Sequence, residues 1–367
     1  MKSIKKIGTI TFHNSYNYGS VLQAFALQTF LKKEGYQSEI IDFEFGKDYR
    51  QYKLFRTYLY LHQPKSFFAD LYRLRKNIKR KKSFQDFQNK YLNLTSCHYK
   101  NGDDMSDLNK EFDAFICGSD QIWNLECTRE IVPAYFLDFA SQDKLKIAYA
   151  PSIASASFDG DKERLKELIG RLDYVSVREA STIKNVKEYT SKNVENVVDP
   201  TLLLEFSDYK QIEAESENLP EKYIFFYQLE DDEFKMAKWC KALAEKYNLP
   251  IIYIYKDRIN VLKKDIYCFG VTPSKFLTLI DNATYVVTNS FHATVFSIIF
   301  EKKFCTFPTR NSSSRMRDLL TNIGLENRIW SNLFQINDTI DYEDVKRNLN
   351  NFSEYSKKYL KEALIDE

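Results

Sequence analysis

Ile7-Gly8-Thr9-Ile10-Thr11-Phe12 is a short β-rich run, and the residues that follow it decide the fold. His13 to Ser20 is polar and contains Gly19, so it reads as a loop. Val21, Leu22, Phe25, Leu27, Phe30 and Leu31 then recur at helical spacing as far as Gly35, a favourable helix stop. Ser38-Glu39-Ile40-Ile41-Asp42-Phe43 reads as a second strand. Strand, loop, helix and strand within about forty residues make a βαβ unit, so a parallel sheet is expected.

The same rhythm extends outward. Strands are expected over residues 112–117, 146–150, 174–178 and 194–198, with a helix over 161–170. Residues 205–220 are polar and read as a linker. The pattern then restarts, with strands over 223–227, 251–255, 285–288 and 304–307. Helices are expected over 232–248, 272–280, 291–300 and 341–365. The expected class is α/β, with two Rossmann-like, doubly wound domains. Their bounds are 1–205 and 220–340, and a helical segment follows at 341–367.

A chain of 367 residues is long for one core, and 44% hydrophobic content excludes wholesale disorder. The net charge of +2 conceals an asymmetry. Residues 47–100 hold fourteen Lys/Arg against three Asp. Phe67, Leu71, Leu74 and Ile78 fall on one helical face there, with Arg73, Arg75, Lys76, Lys79 and Arg80 around it. This stretch is read as a basic helical insertion in the first domain, rich in Tyr and Phe. The six cysteines form no CxxC pair and read as reduced thiols, so no metal site is expected. The basic start, Met1-Lys2-Ser3-Ile4-Lys5-Lys6, is followed by an apolar run that Thr9, Thr11, His13 and Asn14 interrupt. No secretory signal and no spanning helix are expected, and the location reads as cytoplasmic.

In doubly wound sheets, ligands bind outside the carboxyl ends of the strands. That rule selects loops 13–20, 118–124, 151–155, 178–181 and 288–292. In Thr288-Asn289-Ser290-Phe291-His292, Asn289 or Ser290 caps a helix whose first-turn N–H groups suit an anion, with His292 beside them. A plain cap with a histidine bonded only to backbone is the alternative. Arg178, at a strand end, suits a carboxylate or phosphate, or else an ion pair with Glu179 or Asp199. Arg310 and Arg315 follow the last strand and are candidates for the same anion site. Gly118 and Ser119 form a tight strand exit before Asp120, a candidate base. Trp123 sits among polar neighbours, as a sugar-stacking residue does, although a capped helix start fits as well. Asn14, Asn17, Tyr18 and Gly19 shape the first loop. His13 is balanced between a turn residue and a functional one. No GxGxxG occurs, which argues against NAD or FAD.

These residues resemble the polysaccharide pyruvyl transferase family. The resemblance is carried by Ile7-Gly8-Thr9-Ile10 with Asn17-Tyr18-Gly19-Ser20, and by Gly118-Ser119-Asp120-Gln121-Ile122-Trp123-Asn124. Ser176-Val177-Arg178-Glu179, Val198-Asp199-Pro200-Thr201 and Ser290-Phe291-His292-Ala293 complete it, in order over residues 4–310. It implies two Rossmann-like domains facing across a cleft, a GT-B-like arrangement. It also implies transfer of pyruvate from phosphoenolpyruvate to two hydroxyls of a sugar in cell-surface polysaccharide biosynthesis, giving a ketal. Ser290-Phe291 stands where the family has an arginine before the leucine and histidine, and Ser20 stands where many members have Asp. Under this reading His292 is the acid and Asp120 the base. Arg178, Asn289, Ser290, Arg310 and Arg315 bind the donor. Asn14, Asn17, Tyr18, Gly19, Gly118, Ser119 and Trp123 bind the acceptor. No cofactor is expected beyond phosphoenolpyruvate as donor. The expected acceptor is a lipid-linked or nucleotide-linked sugar, with an anionic membrane surface met by residues 47–100 and no nucleic acid. A GT-B glycosyltransferase using a nucleotide sugar and a non-catalytic glycan- or anion-binding protein are the competing readings.

Overall fold

A computed structural model describes residues 4–45, 65–154, 161–216, 218–230, 232, 234–255, 259–309, 313–331 and 339–365. Arg310 and residues 47–64 of the expected insertion lie outside these. The chain divides into two compact units. The first comprises Met1–Ile78, Gln85–Leu204 and Asn351–Glu367, and the second Lys79–Phe84 and Glu205–Asn350.

Among the described residues, seven parallel strands build the sheet of the first unit. They are β1 (Lys6–Ile10), β2 (Gln37–Glu44), β3 (Leu94–Lys100), β4 (Ala114–Cys117), β5 (Leu145–Ala148), β6 (Tyr174–Val177) and β7 (Val194–Asn196). Their order across the sheet is β3-β2-β1-β4-β5-β6-β7. Ala114–Cys117 in β4 and residues 175–177 in β6 are buried, as strands covered on both faces require. Gly8 lets β1 approach its neighbours, because a Cβ there would stand 3.2 Å from both Phe112 and Phe115. Aromatic rings fill part of the core. Tyr135 has Phe12 and Phe43 edge-on, each at 5.4 Å.

The second unit carries β8 (Ile224–Tyr227), β9 (Ile251–Ile254), β10 (Ile266–Cys268), β11 (Tyr285–Thr288) and β12 (Lys303–Thr306), in the parallel order β10-β9-β8-β11-β12. The fold class is therefore the expected one, two parallel α/β sheets. Two edge strands, β3 and β10, were not expected from sequence. The first of them corrects the insertion: residues 94–100 are sheet, paired with β2 from Ile40 to Glu44. The described insertion is the 27-residue helix Lys65–Tyr91. Phe68, Leu71, Tyr72 and Ile78 are all exposed on it, Tyr72 at 85%.

Candidate active site

Each sheet reverses direction beside the first strand of its unit. The chain runs outward from β1 through β2 and β3, then returns to place β4 on the other side of β1. In the second unit it runs from β8 through β9 and β10, and returns with β11 beside β8. Such reversals open a crevice at the strand exits, where ligands bind.

In the first unit the reversal is framed by residues 11–20 and 118–124. Gln23, fully buried, ties the two loops together. Its Nε2 donates to Thr11 Oγ1 and to Ser20 O, both at 2.9 Å, and its Oε1 accepts from Ser119 N at 3.3 Å. Gly118 has φ +124°, and a Cβ there would stand 2.1 Å from Tyr149 O, so only glycine fits. Asp120 follows in the left-handed region at φ 62°, an uncommon conformation for a side-chain-bearing residue and one that concentrates at functional sites. Its Oδ2 accepts from Ser20 Oγ at 2.5 Å.

Arg178 leaves β6 into the same cluster. Its Nη1 donates to Asp199 Oδ2 at 2.5 Å and its Nε to Glu179 Oε1 at 3.3 Å, while Nη2 lies 4.0 Å from Asp120 Oδ1. Burial alone would lower the guanidinium pKa. The three carboxylates outweigh it and raise the pKa above its ordinary value, so the charge is retained. Asp199 is also held by Thr201, whose N and Oγ1 donate to Oδ1 at 3.0 and 2.7 Å. Arg178 thus faces three acids. Of the two sequence readings of Arg178, the ion pair with Glu179 and Asp199 is the one present.

In the second unit the reversal is framed by the exits of β8 and β11. The helix Phe291–Ile299 opens at Ser290, whose Oγ accepts from Ala293 N at 3.3 Å. His292 stands in its first turn, 6% exposed. Arg315, on the helix Ser313–Asn322, places its Cζ 5.9 Å from the Phe291 ring centroid, and the Phe291 and His292 rings meet edge-on at 5.2 Å. Met316 fixes that helix against β12 by accepting from Thr306 Oγ1 at 2.6 Å. A histidine, a helix start and an arginine therefore converge on one residue, Phe291.

Four of the expected contact residues are engaged within the protein. Trp123 is fully buried. It stacks on Phe136 at 5.0 Å and donates Nε1 to Tyr135 O, so it is no open sugar platform. Asn289 uses both ends of its amide on backbone: Oδ1 accepts from Leu229 N at 2.7 Å, and Nδ2 donates to Glu230 O at 2.8 Å. It pins the β8 exit rather than a ligand. Asn17 caps the helix Tyr18–Lys33 by accepting from Gly19 N, while Ser119 donates to Ala150 O at 2.7 Å. With Tyr18, Gly19 and Gly118 also buried, these residues build the loop walls. Asn14 is half-buried. His13 is buried as well, 3.1 Å from Asp42 Oδ1, with His98 on the other carboxylate oxygen at 3.0 Å. Sequence reading missed Gln228, at the β8 exit. Its Nε2 donates to Asp232 Oδ1 at 2.8 Å, and its buried Oε1 has no partner among the described residues. A polar residue directly after the apolar run 223–227 was the available signal.

The polysaccharide pyruvyl transferase family profile matches residues 17–311, so the chain belongs to that family, whose members act in polysaccharide biosynthesis. No curated protein matches by sequence. Solved structures similar in fold include the UDP-GlcNAc 2-epimerase from Neisseria meningitidis, bound to UDP-GlcNAc. It is 10% identical, covers 99% of this chain and 95% of its own, and has a TM-score of 0.53. The enzyme of the same name from Rickettsia bellii is 12% identical over 98% and 95%, with a TM-score of 0.54. That from Methanocaldococcus jannaschii is 11% identical over 95% and 92%, with a TM-score of 0.53. At such identities the likeness concerns the fold alone, which is GT-B-like.

Proposed function

We propose that the protein transfers the pyruvyl group of phosphoenolpyruvate to two hydroxyls of a sugar, closing a cyclic ketal and releasing phosphate. The observation that carries this reading is the convergence of His292, the Ser290-capped helix start and Arg315 on Phe291. The donor bears a carboxylate and a phosphate. Free N–H groups at a helix start and a guanidinium both hold such anions. His292 delivers a proton to the methylene carbon of the donor, and C2 becomes oxocarbenium-like. A sugar hydroxyl attacks C2, phosphate departs, and the second hydroxyl completes the ketal. Of the two hydroxyl protons lost, one balances the new methyl group and one leaves with phosphate. Asp120 is the candidate base for the hydroxyl. Its neighbours around Arg178 are carboxylates, which suit a neutral alcohol better than an anionic donor.

Purified protein is expected to release phosphate from phosphoenolpyruvate only when an acceptor is present, and to add a pyruvate ketal to it. A panel of lipid-linked and nucleotide-linked sugars tests this. Acceptor modification by a nucleotide sugar donor, with no phosphate released from phosphoenolpyruvate, would sink the proposal in favour of glycosyl transfer.

A lipid-linked acceptor would bring the protein to an anionic leaflet, and the helix Lys65–Tyr91 suits that surface. Among the described residues no helix is long and apolar enough to cross a membrane. This helix instead exposes apolar side chains among Arg75, Lys79 and Lys82. A basic residue near such a surface contributes about 1 kcal/mol. Co-sedimentation with anionic vesicles is expected to exceed that with neutral phosphatidylcholine vesicles and to weaken as salt rises. Equal binding to both vesicle types would refute the electrostatic docking.

A further inference from the structure

A cavity of 380 Å³ lies in the first unit at the starting ends of β6 and β7, opposite the exits that carry Arg178 and Asp199. The C-terminal helix Tyr342–Ile365 forms one wall through Tyr355, Lys358, Tyr359 and Glu362, a stripe at helical spacing. Tyr174, at the first position of β6, meets Tyr359 edge-on at 6.4 Å. Tyr355 is 47% exposed and donates its hydroxyl to Glu195 Oε2 at 2.5 Å. That bond, with some burial, raises the phenol to about 12, so Tyr355 stays neutral.

The charges of the lining decide the class of ligand. Lys192 already donates to Leu172 O, and Lys358 pairs with Glu362 at 3.6 Å. Asp173 accepts from Lys146 N at 2.8 Å. Asp173 also pairs with Lys146 Nζ at 3.3 Å, and both lining lysines are already engaged, so neither is left to hold a phosphate and phosphate and nucleotide ligands are disfavoured. Tyrosine rings offer the flat, weakly negative faces on which sugar C–H groups stack, and Glu195, Glu362 and Asn193 offer acceptors for hydroxyls. The volume falls in the range of small-ligand sites.

The geometry points to a second saccharide site here, which holds a neutral stretch of the glycan acceptor away from the reacting sugar. This rests on the family's place in polysaccharide biosynthesis but not on the donor chemistry above. A polymer gripped at both ends of the same strands is bound by linked contacts, so longer acceptors gain apparent affinity.

Saturation-transfer NMR on the full-length chain tests it, with neutral tetrasaccharides of glucose, galactose and N-acetylglucosamine as probes. At least one is expected to bind the native protein and His292→Ala equally. Tyr355→Ala is expected to bind it about tenfold more weakly, the loss of one aromatic contact. Glu195→Gln, which keeps the shape of the wall, is expected to weaken binding as well. The site is refuted if no tetrasaccharide binds at millimolar concentration, or if a correctly folded Tyr355→Ala binds as the native protein does. Binding that His292→Ala abolishes and Tyr355→Ala spares would place the sugar elsewhere and refute it too. Sugar binding with no pyruvyl transfer would leave this site standing while the donor chemistry fell.

Discussion

Arg178→Met is expected to destabilise the first unit by about 3–5 kcal/mol, the usual effect of removing one partner from a buried charge cluster. Methionine keeps most of the aliphatic stem, so little packing is lost. What is lost is the guanidinium that meets Asp199, Glu179 and Asp120, in a setting where Arg178 itself is 7% exposed. Domains are stable by roughly 5–15 kcal/mol, so the change consumes a large part of the margin. Lysine at the same position restores the charge but not the fork that meets two carboxylates at once, so Arg178→Lys should fall between the two. Denaturant unfolding of the whole chain, followed by probes in each unit, reads the effect. The transition of the second unit should not move. An unchanged midpoint for the first unit would mean that the cluster does not hold the charge state argued for it.

The parts of the fold that were legible in sequence share one physical cause. β4 and β8 lie inside their sheets, are buried throughout and appear as uninterrupted apolar runs. β6 and β11, also inside, are apolar but for Ser176 and Thr288, and buried but for the half-buried Tyr174. Two of the four edge strands, β3 and β10, escaped. β3 reads Leu-Thr-Ser-Cys-His-Tyr-Lys and is exposed at four of its seven positions, so no periodicity marks it. β10 has no buried residue. The helix Ser313–Asn322 was not among the expected ones, and its anchor, Met316 on Thr306, is a contact across the fold that local patterning does not reveal.

The site was legible in position more than in role. Of the loops that the strand-exit rule selected, 13–20, 118–124 and 288–292 lie at the sheet reversals, because topology, not residue type, puts them there. Roles failed where a polar side chain satisfied its own backbone. Asn124 donates to Gln121 Oε1 at 2.6 Å, so the polar neighbours of Trp123 face one another and the indole goes inward. Asn289 closes the β8 exit in the same way. Arg178 was ambiguous because its acids, Glu179 and Asp199, lie one and 21 residues away, and only the fold decides whether both reach it.

His292→Ala is expected to lower turnover of phosphoenolpyruvate by a factor of about 10²–10⁴, the range for loss of a positioned general acid. The split between constants carries the argument. If His292 moves the proton, kcat falls while KM for the donor changes little, because Ser290, the helix start and Arg315 remain to hold the anion. If it merely binds the donor, KM rises and kcat survives. Arg315→Ala should show that second pattern. Product formed in heavy water should carry one deuterium in the new methyl group, marking the carbon that receives the proton. The variant should keep the cap, since Ser290 accepts from the backbone of Ala293 and makes no use of the imidazole. Its unfolding midpoint therefore serves as the control: a large kinetic loss with an unmoved midpoint assigns the effect to chemistry. Near-native kcat on a competent acceptor would remove His292 from the reaction and leave the anion site without its acid.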